Sequence, residues 1–173
     1  WIAWDRTASA SPHLVVASED PVSGQIGMTQ YSRRALGFRP AGGGGITDVT
    51  IPGARDPAFM EATGGVFYFT VWSRSEIGAY DPATGQFTFW TYPLSGAETG
   101  GPMDVTPNGD VVSGTRGSGY ICVLRPQSST MNVFDIPNPG PGLKDGLRCE
   151  GAGVVWFTES GRRNITRLRY VLD

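Results

Sequence analysis

Apolar positions in this sequence fall into short runs, separated by turns that contain glycine, proline or asparagine. In the middle of the chain these runs lie around Met103 and at residues 111–112, 121–124 and 131–136. Short apolar runs bounded by turn residues are typical of β-strands. No stretch shows a sustained apolar period of about 3.6 residues, which an amphipathic helix would require. The pattern predicts about fifteen short strands, four in each unit.

The strand pattern repeats along the chain at a step of 44 residues. Matching positions are Gly65, Gly109 and Gly153, and Ile77, Ile121 and Ile165. An internal repeat with four strands in every 40–45 residues or so is typical of a β-propeller blade. We therefore predict an all-β propeller of four-stranded antiparallel blades, with about four blades in this chain.

The repeat units predict how the chain is organised. They span about residues 7–52, 56–93, 100–137 and 144–173, as a single propeller domain or a segment of a larger propeller. In the first unit, residues 14–19 align with the second strands of the other units, and residues 32–45 are interpreted as an insertion. The last unit stops after its third strand, so we expect residues 1–5 to supply a fourth. The alternative is self-association or completion by a second propeller segment.

Composition and charge exclude several classes of partner. The 173 residues include 14 Lys and Arg against 16 Asp and Glu, which gives a net charge of −2 and argues against nucleic-acid binding. No apolar run is long enough to predict a membrane span. Cys122 and Cys149 are expected to be free thiols rather than a disulfide. The chain begins at Trp1, which suggests a processed product or a fragment, and the sequon at Asn164 slightly favours secretion.

The last unit resembles a known family. Residues 155–168 carry the W-F-T-E…N-x-I-x-R pattern of virginiamycin B lyase-like propellers, and the similarity extends over roughly residues 12–172. The resemblance implies a propeller, usually with more blades than are counted here. It also implies elimination chemistry on a cyclic peptide lactone, with a magnesium ion and a histidine base on the central face. More distant relatives include gluconolactonase-like hydrolases and natural-product cyclases.

The sequence departs from that family in its acid, base and metal groups. The single histidine, His13, is predicted in a turn on the opposite face, so the family's proton abstraction does not transfer to it. Glu159 is retained from the W-F-T-E pattern, and Glu19 is aligned with it in the first unit. These two carboxylates suggest a shared Mg²⁺ or Ca²⁺ ion, although no cofactor is certain. The alternative is that Glu159 bonds the adjacent turn or a neighbouring arginine.

The resemblance implies a site over the central channel, formed by the loops between second and third strands and by the starts of the first strands. The catalytic candidates are Glu159, Glu19 and Arg162, and the substrate-binding candidates are Trp72, Arg74, Arg116, Asp104 and Arg148. Arginine binds carboxylate or polarised carbonyl groups and stabilises a developing oxyanion. The alternatives are that these arginines brace one blade against the next and that Trp72 packs on a neighbouring loop.

Two functions from different classes follow from these residues. The leading interpretation is a small-molecule enzyme with lyase- or cyclase-like action on a carbonyl-bearing natural product. The alternative is a ligand- or carbohydrate-binding propeller without catalysis. The loop residues differ from blade to blade, which favours one asymmetric site and therefore the enzyme.

Overall fold

A computed structural model describes residues 14–72, 74–94, 100–116, 119–136, 143–159 and 162–172, with only the backbone at 14, 15 and 143–145. The first blade contains β1 (Leu14–Glu19), β2 (Ile26–Gln30), β3 (Ala35–Arg39) and β4 (Thr47–Thr50). The second blade contains β5 (Pro57–Thr63), β6 (Val66–Val71), β7 (Glu76–Asp81) and β8 (Gln86–Thr91). The third blade contains β9 (Gly100–Val105), β10 (Val111–Thr115), β11 (Tyr120–Arg125) and β12 (Thr130–Asp135). The fourth blade contains β13 (Leu143–Cys149), β14 (Val154–Glu159) and β15 (Asn164–Arg169).

Each blade is a separate antiparallel sheet whose strands pair in chain order. This confirms the predicted all-β propeller of four-stranded blades, although the described part of the fourth blade has three strands and the described sheets do not close into a ring. The predicted closing strand at residues 1–5 and the predicted turn at His13 lie outside the described residues. Among the described residues the helical segment is the single 3₁₀ turn Tyr31–Arg33, and no helix is long and apolar enough to cross a membrane.

The blades stack through apolar faces. Representative members of the three buried clusters are Leu36, Phe67 and Phe69; Tyr68, Ile77 and Leu124; and Val112, Ile121 and Phe157. Each cluster takes side chains from two successive blades, so stacking removes the strand faces from water. A fully buried side chain of this size contributes about 1.5–3 kcal/mol. Gly27 lets the second blade approach closely, since a Cβ there would lie 2.5 Å from the Phe67 ring.

Buried threonines join the second strand of one blade to the first strand of the next. The Thr29 hydroxyl donates to the carbonyl of Ala58 at 2.7 Å, and the Thr70 hydroxyl donates to the carbonyl of Gly101 at 3.2 Å. Each hydroxyl also accepts a backbone N–H from the first strand of its own blade, at the point where that strand's register shifts. The threonine of the F-T pattern is therefore a bridge between blades.

The structure corrects the alignment of the first strands. Phe69, Ser113 and Phe157 of the second strands pair with Met60, Met103 and Leu147. The first strands of the second and third blades are therefore related by a step of 43 residues, because paired residues are 9 apart in the second blade (Met60 and Phe69) and 10 apart in the third (Met103 and Ser113). Residues 14–19 form a first strand rather than a second one, and the supposed insertion at 32–45 contains β3.

Asp20 joins the turns at the ends of the first two inner strands. Its side chain is fully buried and accepts the Ser23 hydroxyl at 2.6 Å, the Ser23 N–H at 2.8 Å and the Gly65 N–H at 3.1 Å. Burial disfavours the charged carboxylate, but these hydrogen bonds outweigh it and lower the pKa of Asp20. Asp20 therefore stabilises the folded chain as an anion.

Replacing Thr70 by valine should destabilise the fold by about 1–3 kcal/mol, because two buried backbone groups lose their partner while the side-chain volume is kept. Chemical denaturation measures the change. The matched control is Thr88→Val on an exposed strand position, which should change stability by less than about 0.5 kcal/mol. Equal losses in the two variants would contradict the bridging role.

Replacing Asp20 by alanine should cost about 1–3 kcal/mol of folding free energy at neutral pH. The folded-state pKa is lowered, so this stabilisation is complete above the unfolded value and is lost as pH falls through the folded value. Denaturation at several pH values should show the difference between wild type and Asp20→Ala shrinking below about pH 4. Asp81→Ala is the control, since the Asp81 carboxylate accepts bonds within one exposed turn only, and its effect should be smaller.

Candidate functional site

Four innermost strands carry polar side chains at equivalent positions. These residues are Ser18, Glu61, Asp104 and Arg148. Each pairs with a residue of the second strand of its own blade, and the four partners occupy equivalent positions. The four polar residues are separated by steps of 43, 43 and 44 residues along the chain. Because the innermost strands converge at the centre of the propeller, the stacking of blades brings these four residues together.

The four side chains form one continuous polar cluster. Ser18 Oγ donates to Glu61 Oε2 at 3.1 Å. Arg148 Nη1 lies 3.0 Å from Asp104 Oδ1 and 3.7 Å from Glu61 Oε1. The guanidinium therefore faces two carboxylates from different blades. Its side chain remains three-quarters exposed, so it has donors available to a ligand.

This cluster lies in a cleft of about 450 Å³. The walls are formed by the ends of β5, β9 and β13 and by the turns that follow the first strands. Turn residues on the walls are Pro21, Thr106 and Pro107. The cleft thus opens at the end of the propeller where the first strands finish, which we call the turn end.

The two carboxylates of the cleft are held in different environments. Burial raises the pKa of Glu61, the Asp104 carboxylate raises it further, and the Ser18 hydrogen bond and Arg148 oppose the shift. Asp104 is buried and accepts the N–H of Val105 at 2.9 Å and the N–H of Cys149 at 2.7 Å. Asp104 is therefore fixed in place, whereas Glu61 has a raised pKa beside a charged partner, a combination found at functional sites.

Cys149 lies on the same cleft wall but is poorly suited to nucleophilic chemistry. Neither cysteine is in a disulfide, as predicted, and Cys122 is buried whereas Cys149 is partly buried. Burial, reinforced by Asp104, raises the pKa of Cys149 to about 12. The thiol therefore stays protonated and serves as an apolar part of the wall.

Asp104 and Arg148 are the predicted site residues that the structure brings together in this cleft. They lie near the ends of β9 and β13, not at the starts of these strands as predicted, because both strands begin earlier in the sequence, at Gly100 and Leu143. The other predicted residues at the ends of second strands or in the loops after them are Trp72, Arg74, Arg116, Glu159 and Arg162. In antiparallel blades that position is the end opposite the turn end, which we call the loop end. The predicted single site is thus divided between the two ends.

At the loop end, Trp72 packs on its neighbours from two other blades. The Arg116 guanidinium lies over the Trp72 ring at 4.0 Å, and the Tyr31 ring meets it edge-on at 6.3 Å between centroids. Arg74 is exposed and donates to the backbone carbonyl of Gly53 at 2.8 Å. These contacts correspond to the alternative in which the aromatic and basic residues brace adjacent loops.

Glu159 and Glu19 lie at opposite ends of their blades, so the structure does not bring them together. Glu159 ends the second strand β14, is buried and accepts a hydrogen bond from the Thr166 hydroxyl. Its backbone carbonyl accepts the N–H of Arg162 at 3.0 Å. Glu19 is exposed at the end of the first strand β1, and Gln30 is the residue of the first blade that occupies the Glu159 position.

Sequence reasoning missed Glu61 and Ser18. Their signal was present as a polar residue recurring about every 43 residues in otherwise apolar strands. The fixed step of 44 concealed it, since it paired Phe59 with Met103 and placed Glu61 one position out of register. Among the described residues, no group of three or more His, Cys, Asp or Glu side chains is arranged to hold a metal ion.

No family model matches the sequence, and no curated protein is significantly similar to it. Solved structures share its fold. Virginiamycin B lyase from Staphylococcus aureus matches with a TM-score of 0.73 at 18% identity, over 92% of this chain and 55% of that one. Its catalytically inactive variant with quinupristin matches with a TM-score of 0.78 at 15% identity, over 95% and 58%. The computationally designed Ika4 protein matches with a TM-score of 0.70 at 11% identity, over 94% and 96%.

The chain therefore spans little more than half the length of the lyase structures that it matches. At these identities the likeness establishes the fold and not the activity. The chain has a β-propeller fold of the kind found in virginiamycin B lyase.

Proposed function

We propose that this chain is a small-molecule enzyme of lyase type that acts on a carbonyl-bearing substrate in the central cleft. One observation carries the proposal: a half-buried glutamate with a raised pKa lies beside a largely exposed arginine in a cleft of about 450 Å³. Perturbed acids next to a specific charged partner in a cleft are concentrated at functional sites. In this proposal Glu61 is the base and Arg148 binds the substrate oxygen.

The chemistry proposed is a β-elimination. The ionised Glu61 carboxylate removes the proton from the carbon next to a carbonyl, and the electrons of that C–H bond form a C=C bond as the C–O bond to the leaving carboxylate breaks. Arg148 donates to the carbonyl oxygen and stabilises the negative charge that develops there. The proton held by Glu61 then returns to solvent, so the step needs no oxidant or reductant.

Asp104 positions the arginine in this scheme. It is buried and held by two backbone N–H groups, so its carboxylate is a fixed anchor for the Arg148 guanidinium. A fixed arginine loses less freedom when it binds a substrate oxygen. Asp104 is therefore a positioning residue.

The family resemblance suggests a magnesium ion, but the cleft residues do not fit one. Two carboxylates are present and both face the positive charge of Arg148, which competes with a cation for their oxygens. The proposed step is therefore assigned to Glu61 and Arg148 alone. Turnover measured with EDTA, with Mg²⁺ and with Ca²⁺ tests separately whether activity depends on a bound divalent ion.

The class of substrate is proposed from a neighbour of the same fold, a virginiamycin B lyase structure that contains quinupristin. A lactone or ester of a natural product provides what the elimination needs when its C–O carbon lies β to a second carbonyl: the second carbonyl acidifies the C–H bond, and the ester group leaves as the carboxylate. A binding propeller without catalysis is the second candidate, because Glu61, Arg148 and Asp104 already satisfy one another as ion pairs. Binding without turnover would favour this candidate.

Glu61→Gln should lower turnover at least about 100-fold, because a carboxamide cannot accept the proton. Arg148→Gln should lower it by a similar factor through loss of oxyanion stabilisation. A panel of lactones and β-acyloxy carbonyl compounds is screened with the wild type by the ultraviolet absorbance of the new conjugated C=C bond, and the variants are measured on the best substrate. Arg33→Gln, in an exposed ion pair with Asp48, is the control and should be unaffected.

The same assay distinguishes the two ends of the propeller. Unchanged turnover in Glu61→Gln together with loss in Arg116→Gln or Glu159→Gln would contradict a site at the turn end. It would favour instead the loop-end residues predicted from the sequence. Binding of panel compounds with no turnover in the wild type would contradict the enzyme and support the binding module.

Turnover should fall as pH decreases through the raised pKa of Glu61, since only the ionised form accepts a proton. The acidic limb of the kcat/KM profile should therefore lie above pH 4.5, the ordinary value for glutamate. Ser18→Ala removes a hydrogen bond that lowers this pKa, so its limb should move to higher pH. A limb that Ser18→Ala leaves in place would show that another group titrates.

A further inference from the structure

The outer face of the fourth blade is apolar, basic and exposed. We define it by Trp156, Thr158, Ile165, Arg167 and Arg169, which share one side of strands β14 and β15. Trp156 is 40% exposed and Ile165 is 74% exposed. The Arg167 guanidinium lies 5.5 Å from the Trp156 ring and 3.7 Å from the Glu150 carboxylate, which also accepts the Trp156 indole N–H at 2.7 Å. The face therefore combines an aromatic platform with this ion pair and the exposed Arg169.

The same positions are buried in the two preceding blades. Paired registers align Trp156 with Tyr68 and Val112, and Ile165 with Ile77 and Ile121. These four residues are at most 8% exposed, and each belongs to a cluster shared with the following blade. The outer face of the fourth blade therefore has the form of a blade-binding surface.

The outer face of the first blade offers a complementary surface. It consists of the side turned away from the second blade, where Ala17, Glu19, Ile46 and Asp48 are exposed beside Arg39. Ile46 is 45% exposed and adds an apolar centre. Glu19 supplies a negative charge opposite in sign to Arg169, whereas Asp48 is already paired with Arg33 and Arg167 with Glu150.

We infer that a second copy of this chain docks its first blade on the outer face of the fourth blade. The two-fold symmetric pair would contain this contact twice, because each copy offers both faces. The described blades do not close into a ring, so both outer faces are open to this contact. This inference is independent of the proposed function.

Charge favours this head-to-tail contact over the pairing of two fourth blades. A contact between two identical fourth-blade faces would place Arg169 close to the same residue of the copy, and like charges at close range oppose association. Docking the first blade there instead brings the Glu19 carboxylate to the side of Arg169. It also lets Ile46 cover apolar surface around Trp156 and Ile165, as the following blade does elsewhere in the fold.

Light scattering after size-exclusion chromatography tests the assembly. The wild type should show twice the monomer mass of 18.5 kDa, decreasing to the monomer on dilution. Ile165→Glu should weaken association at least tenfold, because it places a carboxylate in the centre of the contact. Val22→Glu is the matched control, since Val22 is 79% exposed in a turn outside both faces, and it should leave the dimer intact.

Mixing two damaged variants tests the head-to-tail arrangement. Ile165→Glu damages the fourth-blade face and Ile46→Glu damages the first-blade face, so each variant alone has no intact contact within its dimer. A mixture restores one contact, between the undamaged fourth blade of one variant and the undamaged first blade of the other. Dimer recovered on mixing is therefore the expected result.

Three outcomes would overturn the inference. A wild-type monomer at every concentration would exclude the dimer. A dimer that Ile165→Glu does not weaken would place the contact elsewhere. A dimer weakened by Ile165→Glu but not recovered on mixing would show that two fourth blades pair with each other. Circular dichroism of each variant verifies that the strands are retained.

Discussion

The architecture depends on how one blade is joined to the next without a shared backbone ladder. Each described sheet pairs only its own strands, so stacking rests on side chains. Apolar faces supply most of the free energy of stacking, and the buried hydroxyls of Thr29 and Thr70 fix its geometry. Because a hydrogen bond is directional and an apolar contact is not, the threonines determine how far each inner strand lies along its neighbour.

That alignment of inner strands creates the cleft. Ser18, Glu61, Asp104 and Arg148 are separated by more than forty residues in the chain, yet they meet because they occupy one position of four stacked strands. A shift of one residue in any inner strand would turn its polar side chain to the other side of the strand. The raised pKa of Glu61 is therefore a consequence of blade stacking, since both its burial and its neighbour Asp104 come from the adjacent blade.

The sequence was sufficient to predict the fold but not the site. Second and third strands carry large apolar residues at a constant step, so their pattern revealed the four-stranded blades and the blade order. Asp104 and Arg148 were placed at the wrong end of their strands because β9 and β13 begin at Gly100 and Leu143, earlier than predicted. Glu61 was concealed for another reason: Met60 and its partner Phe69 are 9 residues apart, whereas Met103 and its partner Ser113 are 10 apart, which changes the step of the first strands to 43. No local pattern reports such a change, because it is set by pairing between strands.

Two sets of equivalent positions, one on the second strands and one on the first strands, show why the residues of the polar cluster can differ from blade to blade. The bridging row contains Thr29, Thr70, Gly114 and Thr158, and the hydroxyls of Thr29 and Thr70 form the bridges. The inner-strand row contains serine, glutamate, aspartate and arginine at one backbone location. Stacking therefore constrains the first row in the first two blades and leaves the second open to four different groups. Glu61, the anchored Asp104 and the cation Arg148 occupy the same structural position in three blades, so their cluster has one asymmetric arrangement. A single binding site requires such asymmetry, whereas blade stacking alone does not.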